Sequence, residues 1–156
     1  MRRLPWRRPE PPPPDPLTLV RRRHDQLDVL TAVAGQAVAH QVLADRAIRA
    51  CGAPGIVPDQ VGVVLGELLR TYSRLHHQIQ EMDVDPSLSA PRRELQGLLS
   101  YHLHMLRDAG DLVFSGRPHA RTERFRRELA NGLGPHAQAL VTLRDRLREQ
   151  LGTTAF

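Results

Sequence analysis

The sequence predicts an all-α protein, specifically an up-down-up-down four-helix bundle. Leu, Ala and Val are plentiful while aromatics make up only 4% of the chain, a composition that favours helix-on-helix packing over sheet. Apolar residues recur at helical spacing in four long segments separated by Pro- and Gly-containing breaks,. Each break is a handful of residues, and short connections make successive helices antiparallel neighbours. At 156 residues the chain is long enough to bury one self-sufficient core,.

Residues 1–15 open with MRRLPWRRPEPPPP and read as a disordered Arg- and Pro-rich arm. Its proline run is a semi-rigid extended spacer that forms neither helix nor core. Asp15-Pro16 then reads as an N-cap followed by a first helical residue,. The first helix is expected over 16–50, ending before Gly52 and Pro54. Its stretch Ala32 to Ala39 is built of small side chains, which lets a neighbouring helix approach closely.

The second helix, expected over 58–83, has the cleanest pattern. Val61, Leu65, Leu68, Tyr72, Leu75, Ile79 and Met82 alternate at spacings of four and three, a heptad seam,. Arg70, Arg74, His77 and Glu81 form the opposite face, with Val63 the apolar intruder. The third helix is expected over 91–114, with Leu95, Leu98, Leu99, His102, Met105, Leu106, Ala109 and Val113 on one face. The fourth, over 118–151, aligns Phe125, Leu129, Leu133, His136, Leu140, Leu143 and Leu147. Pro135 removes the backbone bond to Asn131, so this helix is expected to kink or split near Gly132-Pro135. Residues 152–156 read as a tail.

Charge is distributed unevenly. Residues 1–23 hold seven Arg against Glu10 and Asp15, whereas residues 24–156 hold 15 Arg and 15 acids. The formal net charge of +5 therefore belongs to the arm and the first turns of one helix, not to a basic body that would grip nucleic acid,. Lys is absent; all 22 basic residues are Arg. Prolines directly after the basic start argue against a secretory leader. The uncharged run Val29 to Ala44 contains Gln36, His40 and Gln41, and its 16 residues are too few and too polar for a membrane span,. The expected location is the cytoplasm.

Motifs for catalysis are missing: there is no Gly-x-Ser-x-Gly, no phosphate-cradling glycine loop, and Cys51 has no obvious His partner,. Cys51 is expected to be a buried, inert thiol. His77 with Glu81 and His104 with Asp108 have a ligand-like spacing. Helical phase turns both pairs away from the core, so they are expected to be a solvated face, with no metal and no cofactor. His102 and His136 do face inward, at about the height of Tyr72 and Gln41. These four residues form the candidate ligand-binding layer: either a hydrogen-bonded structural network that fixes register, or a pocket. Asp45, on the stripe of the first helix, is expected to pair with an Arg near the bundle end.

The arm supplies a second candidate surface. Arg2, Arg3, Trp6, Arg7 and Arg8, continued by Arg21, Arg22 and Arg23, suit contact with an anionic membrane surface or nucleic acid,. The leading functional expectation is a non-enzymatic helical interaction or regulatory protein. It would act through helix-face contacts with another protein or as a homodimer, with the arm as tether. The alternatives are a small-molecule-binding or catalytic bundle using the central layer, and a weak nucleic-acid binder using the arm.

Overall fold

A computed structural model describes residue 13, residues 15–115 and residues 120–154 of the chain. It is all-helical, with α1 (Pro16–Gly52), α2 (Asp59–Gln80), α3 (Ser89–Ser115), α4 (Ala120–Ala130) and α5 (Pro135–Thr153), and a 3-10 turn at Pro86–Leu88. No strand occurs among the described residues. Of the arm, residues 1–12 and 14 lie outside them.

The longest helix is the hub. α1 packs against α2, α3, α4 and α5, and α3 packs in turn against α2, α4 and α5. The buried positions of α1 include Leu27, Leu30, Ala34, Ala37, Gln41, Ala44, Ile48 and Cys51, a run of alternating three- and four-residue steps. This is a heptad seam as regular as that of α2, but half of it is Ala and Gln. Small side chains let α1 sit close to several neighbours at once. At its C-terminus the approach is closest: a Cβ on Gly52 would stand 2.7 Å from the Ala130 Cα and 2.8 Å from the Arg126 carbonyl oxygen.

Along α2 the seam Leu65, Leu68, Tyr72, Leu75 and Ile79 is buried, and Val63 is 65% exposed. The helix stops at Gln80, three residues short of the expected end. Arg92 of α3 donates to the carbonyls of Ile79 (3.1 Å) and Gln80 (2.7 Å), taking up acceptors that the helix end leaves open,. Met82, counted in the seam, lies past the helix. The following connection is tied to α1 by Gln26, which accepts from the Asp85 N–H at 2.8 Å and donates to the Asp83 carbonyl at 3.1 Å.

The fourth expected helix is two. Between α4 and α5, Gly132 (φ 63°) and Gly134 (φ 53°) adopt the left-handed conformation, and Pro135 opens α5,. Asp45 of α1 holds this break from the side. Its Oδ1 accepts the Leu133 N–H at 2.8 Å, and its Oδ2 accepts from Arg49 Nε at 2.8 Å. Leu129, Leu133, Leu140, Leu143 and Leu147 are buried on both sides of the turn.

An 18-residue window of α1 reaches a mean hydropathy of 1.2, so by length and composition this helix could cross a membrane. The 16-residue uncharged run understates it. Of that window, 44% is buried against the other helices.

Candidate functional site

The central layer is built around one ring from α2. Tyr72 is fully buried, and its hydroxyl donates to the Ala37 carbonyl of α1 at 2.7 Å. Its ring stacks on that of His102 from α3, with centroids 5.4 Å apart and planes 17° from parallel. His102 is itself fully buried. Its Nδ1 lies 2.7 Å from the Leu98 carbonyl, a contact that requires Nδ1 to carry the proton and donate,. Nε2 is then an acceptor, and no group among the described residues donates to it. The amide nitrogen of buried Gln41 on α1 is likewise without an acceptor.

His136 departs from expectation. It has the phase of Leu140 and Leu143, but it stands in the opening turn of α5 and is exposed. It reaches the layer only through Tyr101. The two rings stack with centroids 3.5 Å apart, and Tyr101 meets His102 edge-on at 6.3 Å and 82°. In place of the expected four-residue layer stands a line of rings running from Tyr72 through His102 and Tyr101 to His136 at the surface, while Gln41 is buried on α1 one turn past Ala37 and is not part of that line. Tyr101 escaped the sequence reading because it flanks the apolar face of α3 instead of lying on it. Its one signal is adjacency to His102.

The two buried rings, Tyr72 and His102, are electrostatically neutral. Burial holds the His102 imidazole below the ordinary histidine pKa; the Leu98 carbonyl partly counters this and nearby His136 adds to it. Burial also drives the Tyr72 phenol far above its usual value, so both groups keep their neutral forms near pH 7. The described cavities lie elsewhere: between α1 and α2, at Arg23 and Leu147, and beside Leu19 and Asp85. One hydrogen bond and one ring stack join α1, α2 and α3 here, and among the described residues one buried acceptor and one buried donor are left without a partner.

A linkage prediction follows. Because the folded-state pKa of His102 is lowered, the unfolded chain binds more protons below about pH 6.5, and stability falls as pH drops through that value toward the depressed one. Half-buried His76, with its pKa lowered by burial and by Arg107, acts in the same direction. His102→Leu removes the orphaned acceptor at similar volume. It is expected to raise unfolding free energy by about 1 kcal/mol at pH 7 and to flatten, without abolishing, the loss between pH 7 and pH 5. Urea midpoints of both proteins at the two pH values check this.

No metal-binding group of three or more His, Cys, Asp or Glu occurs among the described residues. His77 and Glu81 are exposed, and His104 pairs with Asp108 at 3.3 Å. Burial pushes the Cys51 thiol up to about 11, so it stays protonated,. Of the basic candidates, Arg2, Arg3, Trp6, Arg7 and Arg8 lie outside the described residues. Arg21 is exposed at the start of α1. Arg22 approaches Asp83 at 3.8 Å, and Arg23 donates to Ser87 Oγ at 2.9 Å.

An apolar groove lies between α1 and α2. Val42 is 70% exposed and Leu43 43%, and the groove, of about 300 Å³, is lined by Leu43, Arg46, Ala47, Ala50, Gln60, Val61 and Val64. Comparison with family models, curated proteins and solved structures finds no match to this chain.

Proposed function

We propose that this chain is a non-enzymatic interaction protein that works through the exposed faces of its helices. Its architecture in this reading is an up-down-up-down four-helix bundle, with α4 and α5 sharing the fourth position. The carrying observation is the apolar groove between α1 and α2, lined by exposed Leu43 with Ala47, Val61 and Val64, while Val42 on α1 and Val63 on the outer face of α2 also stand in solvent. Clustered exposed apolar side chains of this kind mark association surfaces more often than idle ones. The buried layer supports the reading from the other side, since its histidine is neutral and enclosed and lines none of the described cavities. The partner is another protein or a second copy in the cytoplasm, and the basic arm tethers the complex to an anionic surface.

Leu43→Glu combined with Val63→Glu tests this. Both positions already face solvent, so unfolding temperature should move little. In native extracts, size-exclusion chromatography of the tagged full-length chain, followed by its tag, should show its higher-mass species shifted toward lower mass. An identical mass distribution for the wild type and the double variant overturns the reading.

A further inference from the structure

The back of α1, opposite its buried seam, has an order of its own. Asp25, Asp28, Ala32, Gly35, Ala39, Val42, Arg46 and Arg49 follow one another at alternating three- and four-residue steps. All of them are exposed except Gly35, which is half-buried. The acids stand at one end, the arginines at the other, and residues 29–44 between them carry no charge. Asp25, Asp28 and Arg46 make no ion pair within the chain among the described residues, and Arg49 commits its Nε to Asp45 while its terminal NH groups remain.

This face is complementary to itself when reversed. Laid antiparallel on a second copy with the two-fold axis at residue 37, Asp25 meets Arg49 of the partner subunit and Asp28 meets Arg46 of the partner subunit. Ala32 falls opposite Val42 of the partner subunit, and Gly35 opposite Ala39 of the partner subunit. Opposite charges thus coincide at both ends, and the smallest side chains coincide at the axis, where the helices must come closest. A parallel pairing would instead set Asp28 on Asp28 and Arg46 on Arg46. Beyond the acids, Arg21 would overhang the C-terminal end of the partner's α1, whose open carbonyls carry partial negative charge.

We infer that the chain forms a symmetric antiparallel homodimer through this face of α1, with Asp25 and Asp28 paired to Arg49 and Arg46 across the two-fold. The inference rests on the reading that this chain works through exposed helix faces, and it adds to the α1–α2 groove a second face that takes a second copy. The seam from residue 25 to residue 49 is about 36 Å long at 1.5 Å per residue. A strip of that length and one helix width is smaller than the ~800 Å² per partner of a standard interface. The dimer is therefore concentration-dependent and dissociates on dilution.

The test is sedimentation equilibrium of the full chain and its charge-reversed variants. Asp28→Arg sets Arg against Arg across the two-fold, and Arg46→Asp sets Asp against Asp, so each single variant should weaken self-association by about tenfold. An equal mixture of the two variants restores both opposite-charge pairs and should form the heterodimer about as tightly as the wild type. Circular dichroism and thermal unfolding of each variant should match the wild type, because these side chains are solvated in the monomer. A wild type monomeric at high micromolar concentration overturns the inference. So does a wild-type dimer indifferent to both reversals, or a mixture no tighter than its components. Indifference to both reversals, with the Leu43→Glu and Val63→Glu effect intact, would reject this face while leaving the interaction-protein reading standing.

Discussion

Tyr72→Ala is expected to lower the unfolding free energy by about 4 kcal/mol, within the range for deleting a buried aromatic ring. Tyr72 is the largest of the fully buried side chains, and it touches three helices: it sits on α2, donates to the Ala37 carbonyl of α1 and stacks on His102 of α3. Removal leaves a cavity in the middle of the seam and strips His102 of its stacking partner. Against a typical total of about 5–15 kcal/mol the loss is large. At roughly 2–4 °C per kcal/mol for a domain of this size, it corresponds to a fall in Tm of about 10 °C. Tyr72→Phe keeps the ring and deletes only the hydroxyl, so it should cost about 1 kcal/mol. Urea denaturation of the pair separates packing from hydrogen bonding. A Tyr72→Ala cost below about 2 kcal/mol, or one equal to that of Tyr72→Phe, would contradict the close packing described for this layer.

The difference between α2 and α1 shows what governs legibility. Both present a core face with alternating three- and four-residue steps, yet only that of α2 stands out in the sequence. In α2 the seam is Leu, Tyr and Ile against a back of Arg, His and Glu, so hydropathy contrast marks the face. In α1 the seam residues Ala34, Ala37, Gln41 and Ala44 differ little in hydropathy from Ala32, Ala39 and Val42 on its back. Periodicity is present there, but contrast is not. The same poverty of charge that blurs the α1 core face creates the uncharged centre of its outer face.

For the site, sequence phase was sufficient where a residue lies in mid-helix and insufficient at an end. His102 and Tyr72 are buried deep within α3 and α2. His136 has equally good phase, but in the first turn of α5 the inward direction no longer guarantees cover, and the side chain emerges onto Tyr101. Asp45 illustrates the opposite case. Its pairing with an arginine was readable from its place near the helix end, whereas its bond to the Leu133 N–H depends on a turn 88 residues away in sequence. Spacing within one helix holds no trace of such a partner. Leu103 is also buried outside the expected α3 stripe, because α3 is packed by α1, α2, α4 and α5 and buries more than one face.

Gly132→Ala is expected to destabilise the protein by about 2–3 kcal/mol, through two effects that share one cause. The φ of 63° at Gly132 is strained for any residue with a Cβ,. An added Cβ would also overlap the Asp45 Oδ1 atom and press on Arg49 Nε at 2.7 Å. To admit it, Asp45 must withdraw, and the Leu133 N–H then loses its charged acceptor. Asp45→Ala alone deletes the same bond together with the Arg49 pair and should cost about 2 kcal/mol. The Arg49 pair contributes little of this because it is half exposed, at 53% and 30% for its two side chains,. The two substitutions therefore cannot add. Once Asp45 is gone, its overlap with the alanine methyl is gone too and Arg49, no longer held by the carboxylate, can swing aside, so mainly the backbone strain remains and the double variant should be more stable than the sum of the single losses by at least 1 kcal/mol,. Asp45→Asn keeps a neutral acceptor for the Leu133 N–H and should lie midway between the wild type and Asp45→Ala. A double-mutant cycle read by urea denaturation measures the coupling directly. Strict additivity would mean that the carboxylate and the turn act independently, and that the α4–α5 break is set by its own glycines and proline and not by α1.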